Sequence, residues 1–160
     1  MNRQNLFADF PWDDDAGTGT RRRVFWRPNG ARMGATLYEL PPGDHGDKLH
    51  MHYNAEEMFF VLSGRLLLRT PEGEEELAAG DFVFCPEGRA GLHTFTNPYG
   101  EPSRLLAMSA GGFPDVVAYP EHGYAWLATR DPHTDLPPAP DPGIIARFEF
   151  RMDRPDDRLS

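Results

Sequence analysis

Residues 43–64 read GDHGDKLHMHYNAEEMFFVLSG, and the order of residue types in that run sets the first expectations. Met58 to Leu62 is a short apolar run closed by Ser63-Gly64, which reads as a strand running into a turn. Upstream, His50 and His52 stand two residues apart. In an extended segment such residues project from the same face, so two imidazoles are aimed at one point. A carboxylate follows at Glu56 or Glu57, and another histidine, His93, opens a later β-rich run. Three neutral imidazoles and one carboxylate suit divalent Mn, Fe, Co, Ni or Zn, with octahedral positions left over for water, substrate or oxygen.

Working outward, the same alternation of short strand and turn continues in both directions. Arg22 to Arg27 reads as a strand, Pro28-Asn29-Gly30 as a turn, and Ala31 to Leu40 as extended chain stopped by Pro41-Pro42-Gly43. Downstream come Arg65 to Thr70, Glu75 to Ala78, Phe82 to Cys85, His93 to Asn97 and Arg104 to Ser109, separated by Gly/Pro turns. Gly and Pro number 16 each, one position in five and scattered, which excludes long helices. The expectation is an all-β sandwich or barrel. Residues 1–20 lack periodicity and read as an N-terminal arm, anchored by Phe10 and Trp12. Residues 21–112 form the core. Residues 113–150 are a C-terminal extension with one late strand at Ile144 to Phe150, and 151–160 are a charged tail.

Two spacings in this chain resemble the two sequence motifs of the cupin superfamily. The first is Gly, a short gap, His-x-His, Glu, six residues and Gly. It runs here from Gly43 through His50, His52 and Glu57 to Gly64, and the six residues between Glu57 and Gly64 select Glu57 over Glu56. The second is Gly, five residues, Pro-x-Gly, a gap, His, three residues and Asn, and it runs from Gly80 through Pro86, Gly88 and His93 to Asn97. The gap before His93 is four residues where two is usual. The resemblance implies a jelly-roll β-barrel with His50, His52, Glu57 and His93 holding one divalent transition metal in its mouth. It also implies a homodimer, with the arm or Ile144 to Phe150 as exchanged segments. Gly64 and Gly80 are expected at positive φ, and Asn97 is expected to close a turn before Pro98.

Composition narrows the partners. Sixteen basic against 25 acidic residues give a net charge of −9, which disfavours nucleic acid and anionic lipid. Arg21-Arg22-Arg23 follows Asp13-Asp14-Asp15 and leads into a strand, so it reads as the start of that strand. The single cysteine, Cys85, reads as a small buried residue. With no signal-type apolar core near Met1, it points to a reducing, cytoplasmic home. A metal-dependent enzyme acting on a small organic molecule is expected, with dioxygenase-like oxidation first. The alternatives are a sugar-phosphate isomerase or epimerase, a decarboxylase, or a non-catalytic metal or small-ligand module. Candidate substrate contacts are Tyr38, Phe60, Phe84, Phe95 and Arg104, with Arg32, Arg65 and Arg69 as further strand arginines. Glu57 and the loop residue His122 are the candidate acid–base groups.

Overall fold

The computed structural model describes residues 3–15, 19–26, 33–112, 114–128 and 144–149. In chain order the strands are β1 (Asp14–Asp15), β2 (Arg21–Trp26), β3 (Met33–Leu40), β4 (Met51–His52), β5 (Ala55–Ser63), β6 (Arg65–Thr70) and β7 (Gly73–Ala78). They continue with β8 (Phe82–Cys85), β9 (Thr94–Thr96), β10 (Ser103–Gly111), β11 (Asp115–Tyr119), β12 (Tyr124–Ala128) and β13 (Ile144–Glu149). Two 3-10 turns, Gly88–Gly91 and Pro120–His122, are the only helical pieces among the described residues. None of them is long and apolar enough to cross a membrane.

The strands form a six-stranded sheet in the order β1-β2-β3-β10-β5-β8, a four-stranded sheet β13-β12-β11-β4 and a three-stranded sheet β7-β6-β9. This is a jelly roll. Among the described residues its sheets do not join into one continuous ladder, and the all-β jelly-roll expectation holds. One core joins the six- and three-stranded sheets: Leu40, Phe59, Val61 and Leu105 from the first meet Leu66, Leu68, Leu77 and Phe95 from the second. Each such side chain contributes about 1.5–3 kcal/mol by leaving water. A second cluster, Leu49, Met51, Leu92, Ala118 and Ala125, ties the four-stranded sheet to the loop before β4 and to the first 3-10 turn.

Most turn residues behave as their chemistry requires. Gly64 turns at φ +77°, and a Cβ there would lie 2.3 Å from Ser103 Oγ, which itself bonds the backbone of Arg65 in both directions. Asn97, fully buried, donates from Nδ2 to the carbonyls of Leu40 and Glu101, and its Oδ1 accepts the Tyr99 N–H, closing the expected turn.

The ends of the chain carry further strands beside the expected late one, Ile144–Glu149. The arm is partly a strand: β1 pairs with β2, and Phe10 packs edge-on to Trp12 and Phe25 with ring centroids 5.2 and 5.5 Å away. Beyond Gly112, where the sequence pattern weakens, β11 and β12 form a hairpin whose partners are β4 and β13. Residues 129–143 and 150–160, including the tail, lie outside the described residues.

Candidate metal centre

The loop before β4 brings His50 alongside His93, where each backbone N–H donates to the other's carbonyl at 3.0 and 2.9 Å. That reciprocal bridge fixes two histidines far apart in sequence. His52 follows on the same face as His50, while Met51 between them is buried in the second core, as alternation demands. Glu57 arrives from β5, whose inward row is Glu57, Phe59 and Val61. His50, His52 and Glu57 each offer a ligand atom within 4.8 Å of the others. His93, 2% exposed, borders this group, with its Nε2 3.4 Å from Glu57 Oε2 and its ring 4.7 Å from that of His50, but its ligand atoms do not come within 4.8 Å of all three others.

The outer nitrogens decide which way each ring faces. Nδ1 of His50 lies 2.8 Å from the Lys48 carbonyl, Nδ1 of His93 2.7 Å from the Gly91 carbonyl, and Nδ1 of His52 2.6 Å from Asp115 Oδ2. These partners only accept, so each Nδ1 carries the proton and each Nε2 turns a lone pair inward. Burial, then the neighbouring His50, push His93 down to about 3, so it stays neutral.

The inward lone pairs meet the Glu57 carboxylate, whose buried Oε2 has no hydrogen-bond donor although His52 Nε2 lies 3.3 Å away. Acceptors converging without a proton between them repel unless a cation sits among them. Two atoms each about 2.1 Å from one ion are separated by roughly 3.0–3.4 Å, which the Glu57 contacts to His52 and His93 match. The residues present therefore fit a divalent ion.

The longer gap before His93 has a visible use. Its residues form the 3-10 turn Gly88–Gly91, whose last carbonyl anchors the His93 ring. A Cβ on Gly91 would lie 1.8 Å from the Pro86 carbonyl oxygen, so only glycine lets the turn sit so close.

The centre opens into a cavity of 410 Å³ lined by Tyr38, Leu40, Phe59, Phe95, Leu105 and Ala107, with Thr20, Arg22, Gly46, Asp47 and Thr94 also on its wall. Of the sequence candidates, Tyr38 and Phe95 stand on this wall and three others do not. Phe60 pairs across the sheet with Leu106 and Phe82 on the face opposite Phe59, and Phe84, half exposed, lies on that same outer face across from Met58. Arg104 belongs to the outward row of β10, where its Nε donates to Glu39 at 2.9 Å.

Arg65 and Arg69 bond Glu76 and Glu121 outside the cavity, and Arg32 lies outside the described residues. The cavity arginine is Arg22, second of the run read as a plain strand start. Its pairing opposite Tyr38 puts the two on one row. His122 is exposed on the second 3-10 turn and is not on the wall. Cys85 is buried opposite Glu57 in the ladder. Burial and the Glu57 charge push its thiol up to about 12, so it is inert as a nucleophile.

Two residues that matter here were not singled out in the sequence. Asp115 holds His52, and Tyr119 stacks on His50 at 5.6 Å, with its hydroxyl pushed well above the ordinary phenol range by burial and then by Asp47. Both come from β11. Their signal is the pair of five-residue runs DVVAY and YAWLA around Pro120 to Gly123, a hairpin pattern.

A jelly roll with a histidine–carboxylate cluster facing its cavity defines a small β-protein with a candidate metal site. The cupin domain family model matches residues 36–109, which take in His50, His52, Glu57 and His93 and most of both motifs' strands. A protein assigned as a sugar phosphate isomerase from Acidithiobacillus ferrooxidans is 28% identical, with 69% of this chain and 70% of that chain covered and a TM-score of 0.60. A sugar phosphate isomerase from Silicibacter pomeroyi shares the fold over 91% of this chain and 88% of its own, at 20% identity and a TM-score of 0.69. A polyketide cyclase from Streptomyces resistomycificus is 26% identical, covering 69% and 80% of the two chains with a TM-score of 0.54. None of the curated proteins matches the sequence.

Proposed function

We propose that this chain is a divalent-metal-dependent enzyme that rearranges a small oxygenated organic molecule by moving protons. The ion is held by Nε2 of His50, His52 and His93 and by Glu57. The observation that carries the reading is the donor-less, buried Glu57 Oε2 among inward-facing imidazole lone pairs. When bound, the ion supplies Lewis acidity at a substrate oxygen, which lowers the barrier to removing a proton from the neighbouring carbon.

The chain's own residues do the rest. Phe59, Phe95, Leu40 and Leu105 keep water from the reacting end, which strengthens every electrostatic contact there. The Tyr38 side chain offers a hydroxyl on the wall, and Arg22 on the same row suits a carboxylate or phosphate at the far end of the substrate. Two of the solved relatives above 25% identity carry the names isomerase and cyclase, neither of which denotes an oxidation. Those names support a rearrangement over the dioxygenase chemistry expected from sequence.

The test begins with elemental analysis of protein purified without added metal. Sugar phosphates, hydroxy-ketones and small enols are then incubated in deuterated water, and oxygen uptake is recorded in parallel. Bound metal with carbon-bound deuterium incorporation and no oxygen uptake is the expected result. Oxygen consumed in step with substrate returns the assignment to a dioxygenase. Metal without either reaction makes the chain a ligand-binding module.

A further inference from the structure

The three histidines of the cluster are held differently. His50 and His93 lean on backbone carbonyls, which belong to the local turn whatever the side chains are. His52 alone leans on a side chain, and that side chain is an anion. Asp115 is 3% exposed and stands at the start of β11, which pairs with β4 so that Val117 lies opposite His52. One carboxylate oxygen, Oδ2, is 2.6 Å from His52 Nδ1, and the other, Oδ1, accepts the backbone N–H of Asn54 at 2.9 Å. An ionised acceptor makes a hydrogen bond roughly twice as strong as a neutral one. It also makes the imidazole a more basic donor through its other nitrogen.

We propose that Asp115 is a positioning residue of the metal centre: its carboxylate locks His52 in the tautomer that presents Nε2, so a strand beyond the matched residues 36–109 completes the site. The inference rests on the metal-centre reading above. It makes β11 a working part of the centre as well as a structural layer. The geometry over-determines the arrangement, because the Asn54 amide fixes the carboxylate's rotation while the carboxylate fixes the ring.

Asp115→Asn separates this role from a merely structural one. An asparagine has one acceptor and one donor. With its oxygen kept on the Asn54 amide, its NH2 faces His52 Nδ1, which drives the ring proton to Nε2 and removes the inward lone pair. Asn54→Ala is the comparison: it removes the Asn54 Nδ2 bond to the Pro114 carbonyl at 3.1 Å, loosening the same corner without touching the ring. Full-length, metal-free protein labelled with 15N on its histidines is examined by NMR for ring tautomers, then titrated with Co(II) by visible absorption.

The expected result is a His52 proton on Nδ1 in the wild type and on Nε2 in Asp115→Asn. Cobalt affinity falls by about 10–100-fold in that variant, while Asn54→Ala stays within about threefold. An unchanged tautomer or an unchanged affinity in Asp115→Asn overturns the role of Asp115 alone. A wild type that takes up no cobalt overturns the metal-centre reading itself and the inference with it. Should Asp115→Asn fail to fold, the wild-type spectrum still decides, because a proton found on His52 Nε2 contradicts the proposed lock.

Discussion

Gly91→Ala is the most informative single methyl group to add. Its ideal Cβ lies 1.8 Å from the Pro86 carbonyl oxygen and 2.9 Å from the carbonyl carbon. Ordinary non-bonded contact needs about 3.5 Å, so the turn must open by more than about 1.5 Å. Both contact atoms are backbone, which leaves no side chain to swing aside. Overpacking of this kind costs roughly 1–3 kcal/mol, and for a chain of this size each kcal/mol lowers the melting temperature by about 2–4 °C. A drop of about 2–12 °C is therefore expected for the metal-free protein.

The same opening draws the Gly91 carbonyl away from His93 Nδ1, now 2.7 Å distant. Losing such an orienting bond weakens metal affinity by about 10–100-fold. Differential scanning calorimetry with chelator present and a Co(II) titration measure the two effects. Gly100→Ala is the control, since nothing lies within 4 Å of its Cβ and its φ is not positive, and it is expected to stay within about 0.5 kcal/mol. If Gly91→Ala melts and binds cobalt as Gly100→Ala does, the close turn does not set His93 and the account of the second motif is wrong.

The double variant His50→Ala, His52→Ala is expected to lose its bound metal while keeping its circular dichroism spectrum, and full occupancy by elemental analysis would refute the ligand set. Glu39 supplies a pH prediction. Burial would raise its carboxyl, but bonds to Arg21 and Arg104 outweigh that and hold it below its ordinary 4.5. A depressed carboxylate adds stability that is fully present above 4.5 and is lost as the pH falls through the folded-state value. The melting-temperature gap between wild type and Glu39→Gln should therefore be widest near neutrality and close in acid; a gap constant with pH sinks it. Finally, the homodimer implied by the resemblance to cupins is tested by its mass. Sedimentation should then give twice 18.0 kDa, and a monomer at micromolar concentration ends that idea.

Much of this protein was legible along the chain because the relevant physics is local. His50 and His52 share a face because strand side chains alternate, and the glycines at 64 and 80 declare turns because their φ values, +77° and +102°, suit no other residue well. Glu57 rather than Glu56 followed from counting to Gly64, and the structure leaves Glu56 exposed. Which aromatics face the cavity was not legible. A shift of one residue exchanges the two faces of a strand, so Phe59 and Phe60 could be told apart only once β5 was paired with β10.

The same limit explains Arg22 and Arg104. Both lie on strands, but only the ladder through Tyr38 puts one on the cavity wall and sends the other outward to Glu39. Asp115 lies 63 positions from His52, and no spacing rule connects them. Local spacing alone is enough for the all-β architecture, the turns and the shared face of His50 and His52, since each depends on neighbours within a few residues. Only the tertiary structure decided how His93 is aimed, which side chains wall the cavity and what steadies His52, because those contacts form when distant strands pair and bury their shared face.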